Sequence, residues 1–157
     1  VQPGGWDDFI GQRLDARDGS APDGLQAAGW ELHFSEQPNP VIADGEAGGL
    51  TDLQYSLGMK VGSDGALQWV GWESPAFNAG LAKDITVVAV NNLAYSGSRL
   101  KQAITDAKDG TPIELLVRQA DTYRSVRIDY RDGLRYPHLR RIAGRADLLT
   151  KILAPRR

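Results

Sequence analysis

The chain has no cysteine, a single methionine, and no apolar run long enough to cross a membrane, among its 157 residues. The lack of cysteine excludes thiolate catalysis and cysteine-ligated zinc, but it leaves the compartment open, because oxidising compartments permit disulfides without requiring them. A membrane-spanning helix needs about 20 consecutive apolar residues, so no membrane span is expected. A chain of this length buries about 68–70% of its unfolded surface, which predicts one domain or slightly more that folds without disulfides or a structural metal.

An excess of charge of either sign is also missing. Eighteen Lys and Arg residues stand against twenty Asp and Glu residues, which gives a formal net charge of −2. A dedicated nucleic-acid-binding protein would carry a basic patch or stripe, so no nucleic-acid partner is expected. The composition therefore predicts a soluble protein without a membrane or nucleic-acid partner.

The usual constellations of catalytic residues are absent from the sequence. The only two histidines, His33 and His138, are far apart and have no cysteine or acidic ligand at metal spacing. No Gly-x-Ser-x-Gly motif is present, and the serines are explained by helix caps and turns. We therefore expect no catalytic residue, no metal ligand and no cofactor in this chain.

Apolar spacing predicts short helices and strands in both flanks. Apolar residues recur at helical spacing from Trp6 to Leu14, Leu25–Gly29 is typical of a helical turn closed by glycine, and Trp30–Phe34 alternates like a strand. Residues 36–52 are rich in proline, glycine and acidic residues and have no periodicity, which predicts a solvated linker. A last amphipathic helix is predicted at Ala146–Leu153.

The middle of the chain begins with a predicted hairpin and a short helix. Strands at Leu57–Val61 and Leu67–Val70 flank a turn at Gly62–Gly65. Ser74 is placed to cap a helix that has Pro75 at its first position, where proline is well tolerated. The order predicted so far is therefore strand, turn, strand and short helix.

A buried strand, a second helix and closing strands follow. The β-branched run Thr86–Val90 predicts the buried strand. Ser98 is placed to cap the helix, whose apolar residues recur at i, i+3, i+4 and i+7 before Gly110 ends it. Two further strands are predicted at Ile113–Val117 and Tyr123–Tyr130.

Three motifs in this order resemble those of PDZ domains. Leu57-Gly58-Met59 resembles the carboxylate-binding loop, Ser74-Pro75-Ala76 with Ala79-Gly80-Leu81 resembles the bacterial signature, and Val88-Ala89-Val90-Asn91 follows at the family's spacing. The resemblance covers residues 53–131. It implies an α+β fold, a small PDZ-like β-barrel or sandwich of five to six short strands capped by two helices, with helical extensions at both ends.

The sequence departs from the PDZ pattern in two places. Lys83-Asp84-Ile85 stands where most relatives have Pro-Gly-Asp, so the turn before the buried strand is expected to differ. Asn92 replaces the usual glycine, which is tolerable because asparagine enters the left-handed region more readily than most residues.

The flanks resemble a second known family. Tyr130–Arg140, followed by Asp147-Leu148-Leu149 and Ile152–Arg156, is similar to the C-terminal end of the glycyl aminopeptidase family of zinc metallopeptidases, and Leu25–Leu32 resembles the segment before its PDZ domain. That family's zinc lies upstream, in a thermolysin-like domain with a His-Glu-x-x-His helix that this chain lacks. The resemblance implies zinc for the parent protein only, and it implies a bacterial protein of the cytoplasm or periplasm.

The two resemblances together imply a division of the chain. Residues 1–35 are expected to be the remnant of a connection from an upstream catalytic domain, 36–52 the linker, 53–131 the PDZ-like domain, and 132–157 a tail with a short helix. The missing initial methionine agrees with the expectation that the chain was cut from a longer enzyme. Alone, the chain is expected not to be an enzyme.

The PDZ resemblance implies a peptide groove between the Leu57–Val61 strand and the Ser98–Lys108 helix. A peptide would add as an extra strand, with its C-terminal carboxylate on the amides of Leu57, Gly58 and Met59, where glycine permits close approach. The groove itself would be formed by Lys60, Val61, Leu100, Ala103, Ile104 and Ala107.

Two interpretations of this groove stay open. In the first, its partners are an extended peptide or protein C-terminus and the upstream catalytic domain, and the module positions substrate or regulates access. In the second, the chain is a structural appendage that docks on the catalytic domain and binds no peptide, with its groove blocked by neighbouring chain.

Overall fold

Residues 21–154 are described by a computed structural model of the chain. They belong to two units, one formed by residues 34–138 and the other by residues 21–33 together with 139–154. The helix predicted at Trp6–Leu14 lies outside the described residues. None of the described helices is long and apolar enough to cross a membrane.

Short helices and strands alternate along the described chain. The helices are α1 (Ala21–Ala27), α2 (Pro40–Ala47), α3 (Pro75–Asn78), α4 (Gly97–Asp106) and α5 (Leu148–Leu153), and a 3-10 turn at Ala107–Asp109 continues α4. The strands are β1 (Trp30–Ser35), β2 (Thr51–Leu53), β3 (Met59–Val61), β4 (Leu67–Val70), β5 (Thr86–Val90), β6 (Leu93–Ala94), β7 (Ile113–Gln119), β8 (Thr122–Ile128) and β9 (Tyr136–Arg141).

The strands form open sheets. Within residues 34–138, one sheet has the order β2-β3-β4 and the other the order β6-β5-β7-β8, while β1 pairs with β9. Helices and strands are therefore mixed, as the predicted α+β class requires. None of these sheets closes on itself among the described residues, so the β-barrel or sandwich that the PDZ resemblance implied is not confirmed.

The core of the 34–138 unit lies between its sheets and α4. The inward side chains of β7 alternate with exposed ones, as expected for a strand with one buried face, and Ile113, Leu115 and Val117 are buried. The helical spacing predicted for α4 places Leu100 and Ile104 in the same core. Each fully buried side chain of this size contributes roughly 1.5–3 kcal/mol through the hydrophobic effect.

Two local predictions are reproduced closely. The Ser74 hydroxyl accepts a hydrogen bond from the Phe77 N–H at 3.2 Å, and Pro75 opens α3. Strand β5 spans Thr86–Val90 as predicted.

At the two departures from the PDZ pattern, Asp84 and Asn92 adopt left-handed φ angles of 70° and 64°. Asparagine and aspartate therefore serve at positions that commonly favour glycine.

The segment predicted to be an irregular linker, 36–52, contains regular structure. Asn39 caps α2 by accepting the Ile42 N–H at 3.0 Å, with Pro40 at the first helical position. This is a helix start of the same chemistry as Ser74-Pro75, and the surrounding glycines obscured it. The linker also contains most of β2, and the predicted tail contains β9.

The start of α4 also differs from the prediction. Ser96 rather than Ser98 is the N-cap, because the Ser96 hydroxyl accepts the Arg99 N–H at 3.2 Å and the helix begins at Gly97. Ser98 lies inside the first turn, where its hydroxyl is 3.0 Å from that of Ser96. The last helix likewise begins later than predicted, at Leu148, with Asp147 as its cap.

Candidate functional site

Strand β3, the expected wall of the peptide groove, has a neighbouring strand on each edge. On one edge it pairs antiparallel with β4, the return strand of the predicted hairpin. On the other it pairs antiparallel with β2, which places Thr51 opposite Val61, Asp52 opposite Lys60, and Leu53 opposite Met59. The edge that would receive an added peptide strand is therefore occupied by Thr51–Leu53 of the same chain.

The loop before β3 is also engaged by β2. The N–H of Gly58 donates to the carbonyl oxygen of Leu53 at 2.9 Å, and the N–H of Ser56 donates to the same oxygen at 3.1 Å. The carbonyl oxygens of Leu57 and Gly58 accept the N–H groups of Ala76 and Gly71, both at 2.9 Å. The Gly58 amide that was expected to bind a carboxylate thus binds the last carbonyl of β2.

Glycine at position 58 is required for a reason other than ligand approach. Gly58 has a left-handed φ of 73°, and a Cβ there would overlap the Cβ of Ser74. The residue therefore allows the turn into β3 and its close packing against the start of α3.

The other edge of β2 lies against the first residue of α4. A Cβ at Gly97 would overlap the Thr51 hydroxyl oxygen, so the missing side chain of Gly97 makes room for Thr51. The Tyr95 hydroxyl donates to the Gly62 carbonyl at 3.1 Å and lies 3.5 Å from the Thr51 hydroxyl. Strand β2 is therefore inserted between β3 and the N-terminus of α4, the two walls of the expected groove.

Charged side chains fix the register of β2. The Lys60 ammonium lies 2.9 Å from a carboxylate oxygen of Asp52 directly across the strand pair, and the other oxygen of Asp52 accepts the Gln54 N–H at 3.0 Å. Both charged groups are largely shielded from solvent, with side-chain exposures of 31% for Lys60 and 12% for Asp52. A partly buried cross-strand pair opposes sliding of β2, since a one-residue slip would separate the charges.

A second ion pair joins α2 to α4, between Glu46 and Lys101. The Lys101 ammonium also lies 5.8 Å from the centroid of the Tyr136 ring. Burial, with smaller contributions from the nearby carboxylates of Glu46 and Asp52, raises the pKa of the Tyr136 phenol above its ordinary value. These contacts attach the segment before β2 and the start of β9 to the exposed side of α4.

A cavity of about 430 Å³ opens at the N-terminal end of β2. Its walls are formed by 49–51 and by 95–98, and Glu46, Ser63 and Lys101 complete the lining. The cavity is the open continuation of the space that β2 fills. An extended segment on β3 that continued beyond the position of Thr51 would enter it.

The structure brings the predicted groove residues together but does not leave them open. The carboxylate-loop residues Leu57, Gly58 and Met59 are buried, and Lys60 alone among the groove residues is partly exposed. The remaining predicted groove residues are all buried in one core cluster, namely Val61, Leu100, Ala103, Ile104 and Ala107.

The residues that fill this site were not predicted from the sequence. Thr51, Asp52 and Leu53 form a strand too short for a periodic signal, and Gly97 was not distinguished from other turn glycines. The sequence shows only Ser96-Gly97 before the apolar helical pattern, and the structure adds that Gly97 begins the helix without a left-handed φ angle. Such a glycine indicates close approach of another backbone or side chain.

Metal chemistry is not assigned to the described residues. Between residues 21 and 154, no group of three or more His, Cys, Asp or Glu side chains is arranged to hold a metal ion. His138, in β9, instead lies 2.9 Å from the Ser35 hydroxyl and 2.8 Å from the Gln37 carbonyl oxygen, which gives it a structural role.

Comparison with known proteins gives a distant structural similarity. No protein-family model and no curated protein matches the chain. Among solved structures, the chain is similar to the HtrA3 PDZ domain bound to a phage-derived ligand, FGRWV, with 18% sequence identity and a TM-score of 0.36. The similarity covers 74% of this chain and 95% of that domain.

Proposed function

We propose that residues 34–138 form a PDZ-like module that binds peptides by strand addition. The main support is the seating of β2, an extended segment that lies antiparallel on β3 with its last carbonyl on the Gly58 amide. A free peptide C-terminus can offer a carboxylate to the same amide. Hydrogen bonds to a charged acceptor are roughly twice as strong as those to a neutral carbonyl, which favours a peptide carboxylate at this position.

The expected affinity is weak. Each backbone hydrogen bond contributes a net 0.5–1.5 kcal/mol or so, and burial of one leucine-sized side chain adds roughly 1.5–3 kcal/mol. Since micromolar binding needs about −8 kcal/mol after the ordering costs are subtracted, three residues on β3 support only weak, reversible binding.

A second candidate function is a structural appendage that docks on a catalytic domain and binds no peptide. The burial of the groove residues favours it, because Leu53 is fully buried and β2 can be a permanent strand of the sheet. Trp72 offers a contact surface for such docking, because it is 77% exposed and its ring lies 4.5 Å from that of the half-buried Phe77.

The proposal includes a parent protein of the glycyl aminopeptidase type, in which the module positions substrate or regulates access to a zinc active site. Its support is the resemblance of Tyr130–Arg140, Asp147–Leu149 and Ile152–Arg156 to that family. The 157-residue chain is then expected to show no aminopeptidase turnover with or without added zinc. Zinc-dependent turnover by this chain alone would contradict the assignment of catalysis to the parent.

Peptide binding is tested by titrating the full chain with a library of peptides that have free C-termini, while amide NMR shifts are recorded. The expected shifts lie in Leu57–Val61 and in α4, and the same peptides with amidated C-termini are expected to bind more weakly. Absence of these shifts at millimolar peptide, for the whole library, would exclude the proposed function and leave the docking appendage.

A further inference from the structure

We infer that β2 is an intramolecular ligand of the groove, and that the peptides which replace it share its pattern. That pattern is a leucine-sized apolar last residue, an acidic residue before it, and threonine before that. The inference rests on the proposed peptide-binding function and adds the class of ligand and its competitor.

The last position of the pattern is set by Leu53. Its carbonyl oxygen accepts two N–H groups from the loop, and its side chain is fully buried in the core cluster. A competing peptide must supply both an acceptor for Gly58 and an apolar side chain for this cavity, because an empty site would leave a void and an unpaired buried donor. A C-terminal leucine meets both requirements.

The middle position of the pattern is set by Lys60. Among the residues of β3, Lys60 is the only charged one, and its ammonium is 2.9 Å from the Asp52 carboxylate across the strand pair. When β2 leaves, this partly buried ammonium loses its partner, so a peptide with an acidic residue at the facing position restores the pair. The charge at position 60 therefore selects the charge at the second-last peptide residue.

The third position of the pattern is set by the start of α4. Gly97 leaves a gap that the Thr51 hydroxyl fills, and the Tyr95 hydroxyl lies 3.5 Å from it. A threonine fits this gap beside α4, and residues before it would extend along the side of the 430 Å³ cavity formed by Ser63, 95–98 and Lys101, since the wall formed by 49–51 moves with β2. A peptide longer than three residues thus makes contacts that β2 does not, because the chain before Thr51 turns away through Gly49 into α2.

Competition follows from the tether between β2 and β3. A segment held by a short loop competes at an effective concentration of about millimolar, so external peptide binds with an affinity reduced by the fraction of molecules whose groove is open. A change that loosens β2 without altering the rest of the groove is therefore expected to strengthen peptide binding.

The test uses two heptapeptides with free carboxylates that end in Thr-Asp-Leu and Thr-Lys-Leu. Their affinities are measured by calorimetry for the full chain and for folded variants. Asp52→Lys sets two ammonium groups opposite each other, and Lys60→Asp sets two carboxylates opposite each other, so each loosens β2. The double variant Asp52→Lys/Lys60→Asp restores an ion pair. The matched control is Glu36→Lys, which sets an ammonium group opposite Lys108 in place of an exposed ion pair.

The wild-type chain and the control are expected to bind weakly and to prefer Thr-Asp-Leu. Asp52→Lys should bind Thr-Asp-Leu about 10-fold more tightly than the wild-type chain does, or more, because β2 no longer competes for the groove. Lys60→Asp should reverse the preference to Thr-Lys-Leu with a similar gain, and the double variant should keep that preference but return to weak binding. Two single variants keep the test valid if one of them fails to fold.

The outcomes separate the inference from the proposed function. If the peptides shift Leu57–Val61 but neither single variant binds more tightly, or the preference does not reverse, the inference is wrong while peptide binding stands. If no variant binds either peptide and the library also fails, the proposed function is wrong.

Discussion

The carbonyl oxygen of Leu53 accepts the N–H of Gly58 at 2.9 Å, so the loop before β3 is bonded to the strand that precedes it. This contact, together with the pairing of β2 on β3, places a segment of the chain where an added peptide strand would lie. Strand β2 fills the groove as a regular strand of the sheet. Binding of an external peptide consequently requires β2 to move.

Substitution of Gly58 tests the packing of the loop. Gly58→Ala is expected to destabilise the protein by about 2–5 kcal/mol, because it adds left-handed strain to a steric overlap with Ser74. Gly110→Ala is the matched control, since Gly110 has a φ of 95° but open space at its Cβ, and it should cost only about 1–2 kcal/mol. If chemical denaturation gave the same loss of unfolding free energy for Gly58→Ala and Gly110→Ala, the contact with Ser74 would be unimportant.

The contact between β2 and α4 is tested by filling the gap at Gly97. Gly97→Ala should destabilise by roughly 1–3 kcal/mol through overlap with the Thr51 hydroxyl, and Thr51→Ala should remove most of that loss in the double variant. Gly45→Ala in α2, where a Cβ meets nothing, should be neutral or slightly stabilising. Additive effects of the two substitutions in a denaturation cycle would argue against this contact.

The helix cap of α4 gives a simple comparison between two nearby serines. Ser96→Ala is expected to cost about 1 kcal/mol, because it removes the acceptor of the Arg99 N–H. Ser98→Ala should cost clearly less, since Ser98 is exposed and caps no N–H of the helix. A larger loss for Ser98→Ala in urea denaturation would restore the cap predicted from the sequence.

A pH-dependent contact is expected at the start of α5. The Thr150 N–H, followed by the Trp30 indole N–H, lowers the pKa of the Asp147 carboxyl from 3.8 to about 2. Because the folded pKa lies below the unfolded one, the stabilisation is complete above about pH 4 and is lost as pH falls through about 2.

The Trp30 indole N–H resonance reports this titration. It should shift with a midpoint near pH 2 in the wild-type chain and should not titrate in Asp147→Asn. A midpoint near 4 would mean that the carboxylate does not accept these hydrogen bonds.

The parts of the fold that could be predicted from the sequence are those with local causes. Ser74 and Pro75 specify a helix start by their own chemistry, and the β-branched run Thr86–Val90 carries the propensity of a buried strand. The helical spacing of Leu100 and Ile104 likewise requires no knowledge of distant contacts.

The parts that were missed depend on distant partners or on competing local signals. Strand β9 pairs with β1, about a hundred residues earlier in the chain, so its residues carry no local sign of pairing. Strand β2 is three residues long, below the length at which alternation can be read. The predicted groove residues other than Lys60 lie in one core cluster, but their covering by β2 could not be predicted from the residues of β3 and α4 alone.

The most direct test of whether β2 occupies the groove is amide hydrogen exchange at Gly58. The N–H of this residue should be protected in the wild-type chain, lose protection in Asp52→Lys, and regain it when the peptide ending in Thr-Asp-Leu is added. Unprotected exchange of Gly58 in the wild-type chain, at the rate of an exposed loop amide, would contradict the account.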